Sequence, residues 1–254
     1  SFGPLTATLV PPCITIVIQL LEMLLALEEG VKSFSVSFSQ TGSMNQDIVT
    51  GAVIRKLAKY YAKEIQCDDA DIHLVYHQWM GAFPMDPNFA SELISMSTVI
   101  ASMVGANKII TKTNQEAAGI PTKEANAETV ANTQYLLRIL NGLPNIVDKE
   151  EEEILTAEVM SIMEAVFNDP ADTLWRKVFN SIKNGTIDVP FSPHIINNNE
   201  MITVRDKNKN IRIIKRGKVP IPDRCFEYEK NQCDLNKDTT SIVNDIIHDI
   251  GIMQ

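Results

Sequence analysis

The composition of the chain is that of an acidic globular protein. It has 254 residues, 44% of them hydrophobic, and a formal net charge of −9 at pH 7. This length allows one large domain or a domain with an appendage. The acidic balance argues against a general nucleic-acid binder, so we expect no nucleic-acid partner.

The first predicted helix is the apolar run Cys13–Leu27. It is too short to span a bilayer, is interrupted by Gln19 and Glu22, and follows no basic residue. We therefore predict a core helix in a cytoplasmic protein with no membrane partner. The four cysteines include no Cys-x-x-Cys pair, which favours reduced thiols, with a Cys225–Cys233 bridge as the alternative.

Strand-like runs then alternate with helical patterns. The starts of three such runs are 38 and 36 residues apart (71−33 and 107−71), and helical patterns fill the gaps. This alternation predicts βαβ units and a parallel sheet. The predicted strands are Ser33–Phe38, Asp71–Tyr76 and Asn107–Thr111, and the predicted helices are Asp47–Ile65, Asn88–Val104 and Lys123–Leu140, the last starting after Thr122 and ending at Asn141-Gly142.

The number of these units is too small for a closed barrel. With a further unit beginning at Ser1, residues 1–142 hold about four β/α units, whereas a complete (β/α)8 barrel takes roughly 250 residues. Four units leave an open sheet edge and uncovered apolar surface. The pattern therefore indicates either a doubly wound domain or the second half of a barrel.

The first of the three strands has one face made entirely of serine. Side chains alternate along a strand, so Phe34, Val36 and Phe38 share one face and four serines share the other. Inward-facing serines would leave a polar space for a ligand. A solvated edge strand is the equally weighted alternative.

The composition changes after Gly142. Asp148 is predicted to cap a helix whose acidic first turn, Glu150–Glu153, is a solvated helix start. A second helix, Asp172–Lys183, ends at Gly185. A hairpin, Met201–Arg205 with Ile211–Lys215, and a closing helix at Thr240–Ile250 follow. The hairpin is locally basic, which predicts solvated side chains, with a partner-docking surface as the alternative; its basic residues are Lys207, Lys209, Arg212, Lys215, Arg216 and Lys218.

Two segments carry candidate chemistry. His77 ends the middle strand, where parallel sheets present ligand-binding groups, and an aromatic-rich loop follows it. Lys112 ends the next strand, with Glu116 four residues later. The latter two residues either form an ordinary ion pair, grip a polar ligand, or supply a Schiff-base lysine. His73, inside the strand, is predicted to be structural.

These segments resemble the large (epsilon) subunit of glutamate mutase, also called methylaspartate mutase. The matching stretches run in order from the first residue to past 220 and weaken over about the last 30 residues. They are Ser1–Thr6, Leu9–Pro12, His77–Pro84, Lys112–Asn126, Asp188–Phe191 and Val204–Asp206.

The resemblance implies a fold and an activity. Residues 1–142 would be the C-terminal half of a (β/α)8 barrel, and residues 143–254 an α+β C-terminal extension of helices and a hairpin. The family uses adenosylcobalamin to rearrange L-glutamate to L-threo-3-methylaspartate through a radical. Its partner is a small (sigma) subunit that ligates the cobalt, and two large subunits pair in a heterotetramer.

The resemblance also implies site residues. Lys112 and Glu116 match positions that contact the adenosyl ribose, Phe83 and Ile120 match further cofactor contacts, and His77 is the candidate catalytic residue near corrin and substrate. We expect no metal ligand in this chain: His248 resembles the small subunit's cobalt-binding motif but lacks its aspartate. The family's substrate-clamping residues belong to the first half-barrel.

Several positions depart from the family pattern. Ser37–Gly42 replaces Gly-Tyr-Gly-Gln-Cys-Gly, Gly81-Ala82 replaces two glycines, and Asn114-Gln115 replaces Pro-His. These changes leave the cofactor contacts intact and affect substrate-side detail. The rival interpretations are a barrel lyase or aldolase that uses Lys112 as an imine nucleophile, and a non-catalytic assembly subunit.

Overall fold

The computed structural model describes residues 9–142 and 146–233, in which helices alternate first with parallel strands and then surround a hairpin. The elements are α1 (Pro12–Glu28), β1 (Ser33–Ser39), α2 (Met44–Glu64), β2 (Asp71–His77), α3 (Pro87–Met103), β3 (Lys108–Ile110), a 3-10 turn (Glu116–Ala118), α4 (Lys123–Ile139), α5 (Lys149–Phe167), α6 (Leu174–Asn184), β4 (Ile202–Arg205), β5 (Ile211–Lys215) and α7 (Asp223–Asn231). The unit expected from Ser1 and the helix expected at Thr240–Ile250 lie outside the described residues.

The sheet prediction is confirmed over the described residues. Strands β1, β2 and β3 are parallel in the order β1-β2-β3, and the helices between them are the expected crossovers. Three strands do not close a barrel, so the architecture is α/β with a parallel sheet. The proposed boundary at residue 142 borders residues outside the described ranges and stays a prediction.

One face of this sheet is packed and the other is largely polar. Val36, Phe38, Leu74 and Tyr76 are all buried, and Phe38 contacts Tyr76 edge-on, with 5.2 Å between ring centroids. A Cβ on Gly51 of α2 would lie 3.3 Å from the Phe38 ring and 2.7 Å from Val104. Glycine therefore lets α2 pack closely on the sheet.

The serine face of β1 lies opposite this packing. Ser33 and Ser35 are exposed, while Ser37 and Ser39 are buried. Gln19 Oε1 accepts from the Ser37 amide (2.8 Å) and its hydroxyl (3.0 Å). Because β1 is an edge strand of the described sheet, Gln19 satisfies a buried amide that would otherwise have no strand partner.

Helix α1 is a core helix, as predicted. Its buried residues, including Ile14, Leu20 and Leu24, join one hydrophobic core with α2, α5 and β5. Within residues 9–142 and 146–233, every helix is too short or too polar to cross a membrane. All four cysteines are thiols, so the alternative Cys225–Cys233 bridge is not formed.

The hairpin prediction is confirmed, but its expected solvation is wrong at one position. Strands β4 and β5 are antiparallel, and Arg212 is only 2% exposed. Its guanidinium contacts Asp206 (2.9 Å), Glu229 (3.2 Å) and Glu151. Three carboxylates therefore draw Arg212 inward, and Glu151 correspondingly departs from the solvated helix start expected of it.

Candidate functional site at the carboxyl edge of the sheet

The carboxyl ends of the three parallel strands meet at one edge and are joined in the same way. The backbone N–H of Gln40, after β1, donates to the His77 carbonyl (3.0 Å), and the backbone N–H of Gln78, after β2, donates to the Ile110 carbonyl (3.2 Å). The backbone ladder thus continues one residue past each strand. This brings His77 and the Lys112 segment to the same edge, where α/β proteins bind ligands.

Lys112 and Glu116 form the predicted pair. Lys112 Nζ lies 3.2 Å from Glu116 Oε2, and the two side chains are 25% and 24% exposed. Glu116 Oε1 also accepts from the Thr113 amide at 3.3 Å. The carboxylate is therefore fixed at both oxygens yet still reachable from solvent, an arrangement suited to hydroxyl groups of a ligand.

The turn after this pair is closed by its own polar groups. Gln115 Oε1 accepts from the Thr122 amide (2.9 Å), and Thr122 Oγ1 caps α4 by accepting from Ala125 (3.1 Å). Gly119 has φ +118°, which favours glycine. Ile120, at the tip, is 99% exposed, so an apolar side chain projects from the turn that follows the ion pair.

His77 is half-buried at the end of β2. Burial lowers the pKa of its imidazole, and the nearby Lys112 charge lowers it further. The lowered pKa favours the neutral ring, in which one nitrogen donates and the other accepts. His73 lies four residues earlier on the strand and pairs with Asp71 at 2.8 Å, so of these two histidines only His77 is at the carboxyl edge.

The aromatic loop after β2 folds back on itself. Trp79 Nε1 donates to the Ala82 carbonyl at 2.9 Å, and a Cβ on Gly81 would lie 2.5 Å from the indole. Phe83 is 7% exposed and packs with Trp79, Ala90 and Ile94 in a small second cluster. Glycine at 81 thus permits the tight loop, and Phe83 presents only a small exposed part.

The hairpin of β4 and β5 contacts the turn between β1 and α2 at this edge. Arg205 donates to the Thr41 carbonyl at 2.7 Å, and Ser43 Oγ donates to Asn210 Oδ1 at 2.6 Å. The Gln46 side chain both donates to and accepts from the Ile211 backbone. The turn between β1 and α2 is therefore held by residues far along the chain.

A buried carboxyl group, Asp47, stabilises the same turn. Its Oδ1 accepts from the Thr41 amide (2.9 Å) and hydroxyl (2.7 Å), and Tyr76 Oη lies 3.4 Å from Oδ2. Burial raises the pKa of Asp47 to about 7, against the opposing effect of these hydrogen bonds.

Within the described residues, no three histidine, cysteine or acidic side chains are grouped to hold a metal ion.

Sequence reasoning missed the polar residues that organise this edge. Gln40, Gln78, Asp47 and Arg205 are all buried and were not among the predicted site residues. A signal did exist for two of them, because β1 and β2 are each followed directly by glutamine. The contact of Arg205 with Thr41 joins residues 164 positions apart, which no local pattern reports.

A family model described as "Methylaspartate mutase E chain (MutE)" matches residues 1–241. The chain belongs to this family. The match covers both the sheet with its carboxyl edge and the hairpin region, so the site lies within the family's shared sequence.

Curated relatives named "Glutamate mutase epsilon subunit" agree with the family match. The protein of Treponema denticola is 38% identical over 234 residues, covering 91% of this chain and 48% of the relative. That of Escherichia coli O157:H7 is 36% identical over 98% of this chain and 54% of the relative. That of Halobacterium salinarum is 34% identical over 94% and 50%, respectively. This methylaspartate mutase family member thus spans about half the length of the relatives it matches.

Proposed function

We propose that this chain forms one wall of the active site in an adenosylcobalamin-dependent glutamate mutase, an isomerase that converts L-glutamate to L-threo-3-methylaspartate. Family membership over residues 1–241 carries the proposal. The sheet would be the second half of a (β/α)8 barrel. Its largely polar face, with Ser35, His73 and His77, would then line the lumen, and its helices would lie outside.

The residues at the carboxyl edge suit the proposed coenzyme. Glu116 offers carboxylate oxygens to the two hydroxyls of a ribose, and the Lys112 ammonium donates beside it. Ile120, 99% exposed, provides an apolar contact for the corrin, and Phe83 adds its small exposed part. The donor set and the apolar tip together match a ligand with a sugar and a large flat ring.

When bound, adenosylcobalamin supplies a carbon radical by homolysis of its cobalt–carbon bond, and the chain's residues position the reactants. Lys112 and Glu116 would hold the ribose in a fixed orientation. Neutral His77 would donate or accept one hydrogen bond near the substrate without adding charge. The packed loop of Trp79 and Phe83 would help to exclude water from the reacting groups.

The proposed function requires partners. Cobalt would be ligated by the small (sigma) subunit, whose surface would cover the carboxyl edge where Ile120 projects. Two large subunits and their small subunits would form the heterotetramer in the cytoplasm. The cofactor contacts are consequently shared between two chains, and this chain supplies the adenosyl side.

The Glu116→Gln substitution in the complete enzyme tests the ribose contact. It removes the charge and one of two acceptor oxygens, and a hydrogen bond to a charged group is worth about 1.5–3 kcal/mol. We expect the Kd of adenosylcobalamin to rise by about tenfold or more, measured by spectroscopic titration, with a slower isomerisation of L-glutamate.

Glu124→Gln is the matched control, because Glu124 is an exposed acid whose ion pair with Lys123 is 3.8 Å long. The Glu124→Gln variant should bind adenosylcobalamin with the affinity of the wild type. Unchanged affinity and rate in Glu116→Gln would remove the role proposed for this carboxylate. Borohydride trapping of a substrate adduct on Lys112 would instead favour the lyase or aldolase chemistry.

A further inference from the structure

The side chain of Gln78 connects the segment of the ion pair to helix α3. Gln78 is 0% exposed, and its Oε1 accepts from the Lys112 backbone amide at 2.8 Å. Its own backbone amide donates to Ile110 at 3.2 Å. One buried residue therefore fixes the chain on both sides of Thr111, directly before Lys112.

The other end of the Gln78 side chain is anchored on α3. Nε2 donates to the Ile94 carbonyl (3.2 Å) and to Thr98 Oγ1 (3.1 Å). Thr98 Oγ1 in turn donates to the Ile94 carbonyl at 2.9 Å. The amide is thus satisfied at both ends, and its orientation is set because only the oxygen can accept from Lys112.

We propose that Gln78 is the positioning residue of the Lys112–Glu116 pair: it sets where this pair stands at the carboxyl edge and thereby the selectivity for an adenosyl ligand. The inference rests on the proposed function for the identity of that ligand. A displacement of about 1 Å is enough to impair a positioned group. Loss of the hydrogen bond between Gln78 and the Lys112 amide therefore displaces the pair without removing either of its residues.

Gln40 provides a matched control in the same protein. It also follows a strand, is 5% exposed, and its Oε1 accepts from Ser97 Oγ on α3. Within the described residues, the Gln40 side chain is hydrogen-bonded to Ser97 and not to Lys112. Gln40→Met and Gln78→Met each remove a buried side-chain amide that is hydrogen-bonded to α3. Only Gln78→Met also removes the hydrogen bond to the Lys112 amide.

The test compares adenosylcobalamin with methylcobalamin, which lacks the adenosyl group and its ribose but keeps the rest of the coenzyme, in the complete enzyme. We expect Gln78→Met to raise the Kd of adenosylcobalamin by about tenfold, the effect of one lost buried hydrogen bond, and to leave the Kd of methylcobalamin within about twofold. Gln40→Met should shift both affinities by the same factor. Gln78→Glu, buried as the neutral acid, keeps an acceptor for the Lys112 amide and one donor for α3, and should restore most of the selectivity.

Amide hydrogen exchange over residues 111–118 supplies a second readout that needs no coenzyme. Exchange in this segment should accelerate at least tenfold in Gln78→Met and stay near the wild-type rate in Gln40→Met and Gln78→Glu. Unchanged exchange together with unchanged selectivity in Gln78→Met would overturn the positioning role. If the wild type itself binds both cobalamins equally while exchange responds as expected, the positioning stands and the proposed function fails.

Discussion

Single residues at the carboxyl edge owe their properties to neighbours that a local pattern does not show. The Lys112–Glu116 pair was predictable, because an i,i+4 pair of opposite charge after a strand is visible in the sequence. The lowered pKa of His77 was not predictable, since it depends on burial and on Lys112, 35 positions later. Gln78 carries no charge and stood in a recognised motif, yet only its contacts reveal what it holds.

The pKa of His77 gives a test at this scale. Lys112→Met should raise this pKa toward the usual value for histidine, because the second-largest of the causes that lower it disappears. The rise should be incomplete, since burial is the larger cause and remains. Histidine proton resonances followed by NMR across pH 4.5–8, assigned with a His77→Gln variant, measure this.

Lys123→Met is the appropriate control for this titration, because Lys123 is a 93% exposed side chain on α4. It should leave the His77 pKa unchanged. The direction of the His77 pKa shift also predicts how stability depends on pH. Because the folded-state pKa is lowered, the free energy of unfolding should decrease as the pH falls below the unfolded-state pKa of about 6.5. A His77 pKa that is unaffected by Lys112→Met would contradict the described proximity.

At the scale of elements, strands and most helices followed from the sequence, whereas the packing of the hairpin did not. The alternation of serine with Phe34, Val36 and Phe38 fixed β1 to within one residue. Helix α7 was missed, because Asp223–Asn231 is short and mostly polar and buries only Cys225 and Glu229. The hairpin was predicted, but the burial of Arg212 depends on Glu151, 61 positions away.

Arg212→Met tests how much this buried network stabilises the hairpin. The substitution leaves Asp206, Glu151 and Glu229 without their common cation, and breaking a buried pair on one side typically costs about 3–5 kcal/mol. We expect a loss of that order in the free energy of unfolding, measured by urea denaturation of the complete protein.

Arg176→Met is the comparison for the hairpin variant. Arg176 pairs with Asp172 at 2.9 Å, but the two side chains are 54% and 69% exposed. Exposed pairs contribute about 0–1 kcal/mol, so this variant should unfold almost like the wild type. Equal effects of the two substitutions would show that burial of Arg212 adds nothing.

At the scale of the whole molecule, the described residues form a shared hydrophobic core, and the carboxyl edge of the parallel sheet carries the candidate site. Strand–helix alternation was enough to predict the α/β class, but strand count alone left a doubly wound sheet and a half-barrel open. The family match does not decide between these two architectures, because it carries no geometry. The chain spans about half of the length of the relatives it matches, and the cofactor-binding role of its carboxyl edge belongs to the proposed function.

The most direct measurement follows the fate of L-glutamate by proton NMR in a mixture of the complete protein, a cobalamin-binding small subunit and adenosylcobalamin. We expect formation of L-threo-3-methylaspartate that depends on all three components, is slowed by Glu116→Gln and is unchanged by Glu124→Gln. A folded assembly that retains the coenzyme yet leaves L-glutamate unaltered would contradict it.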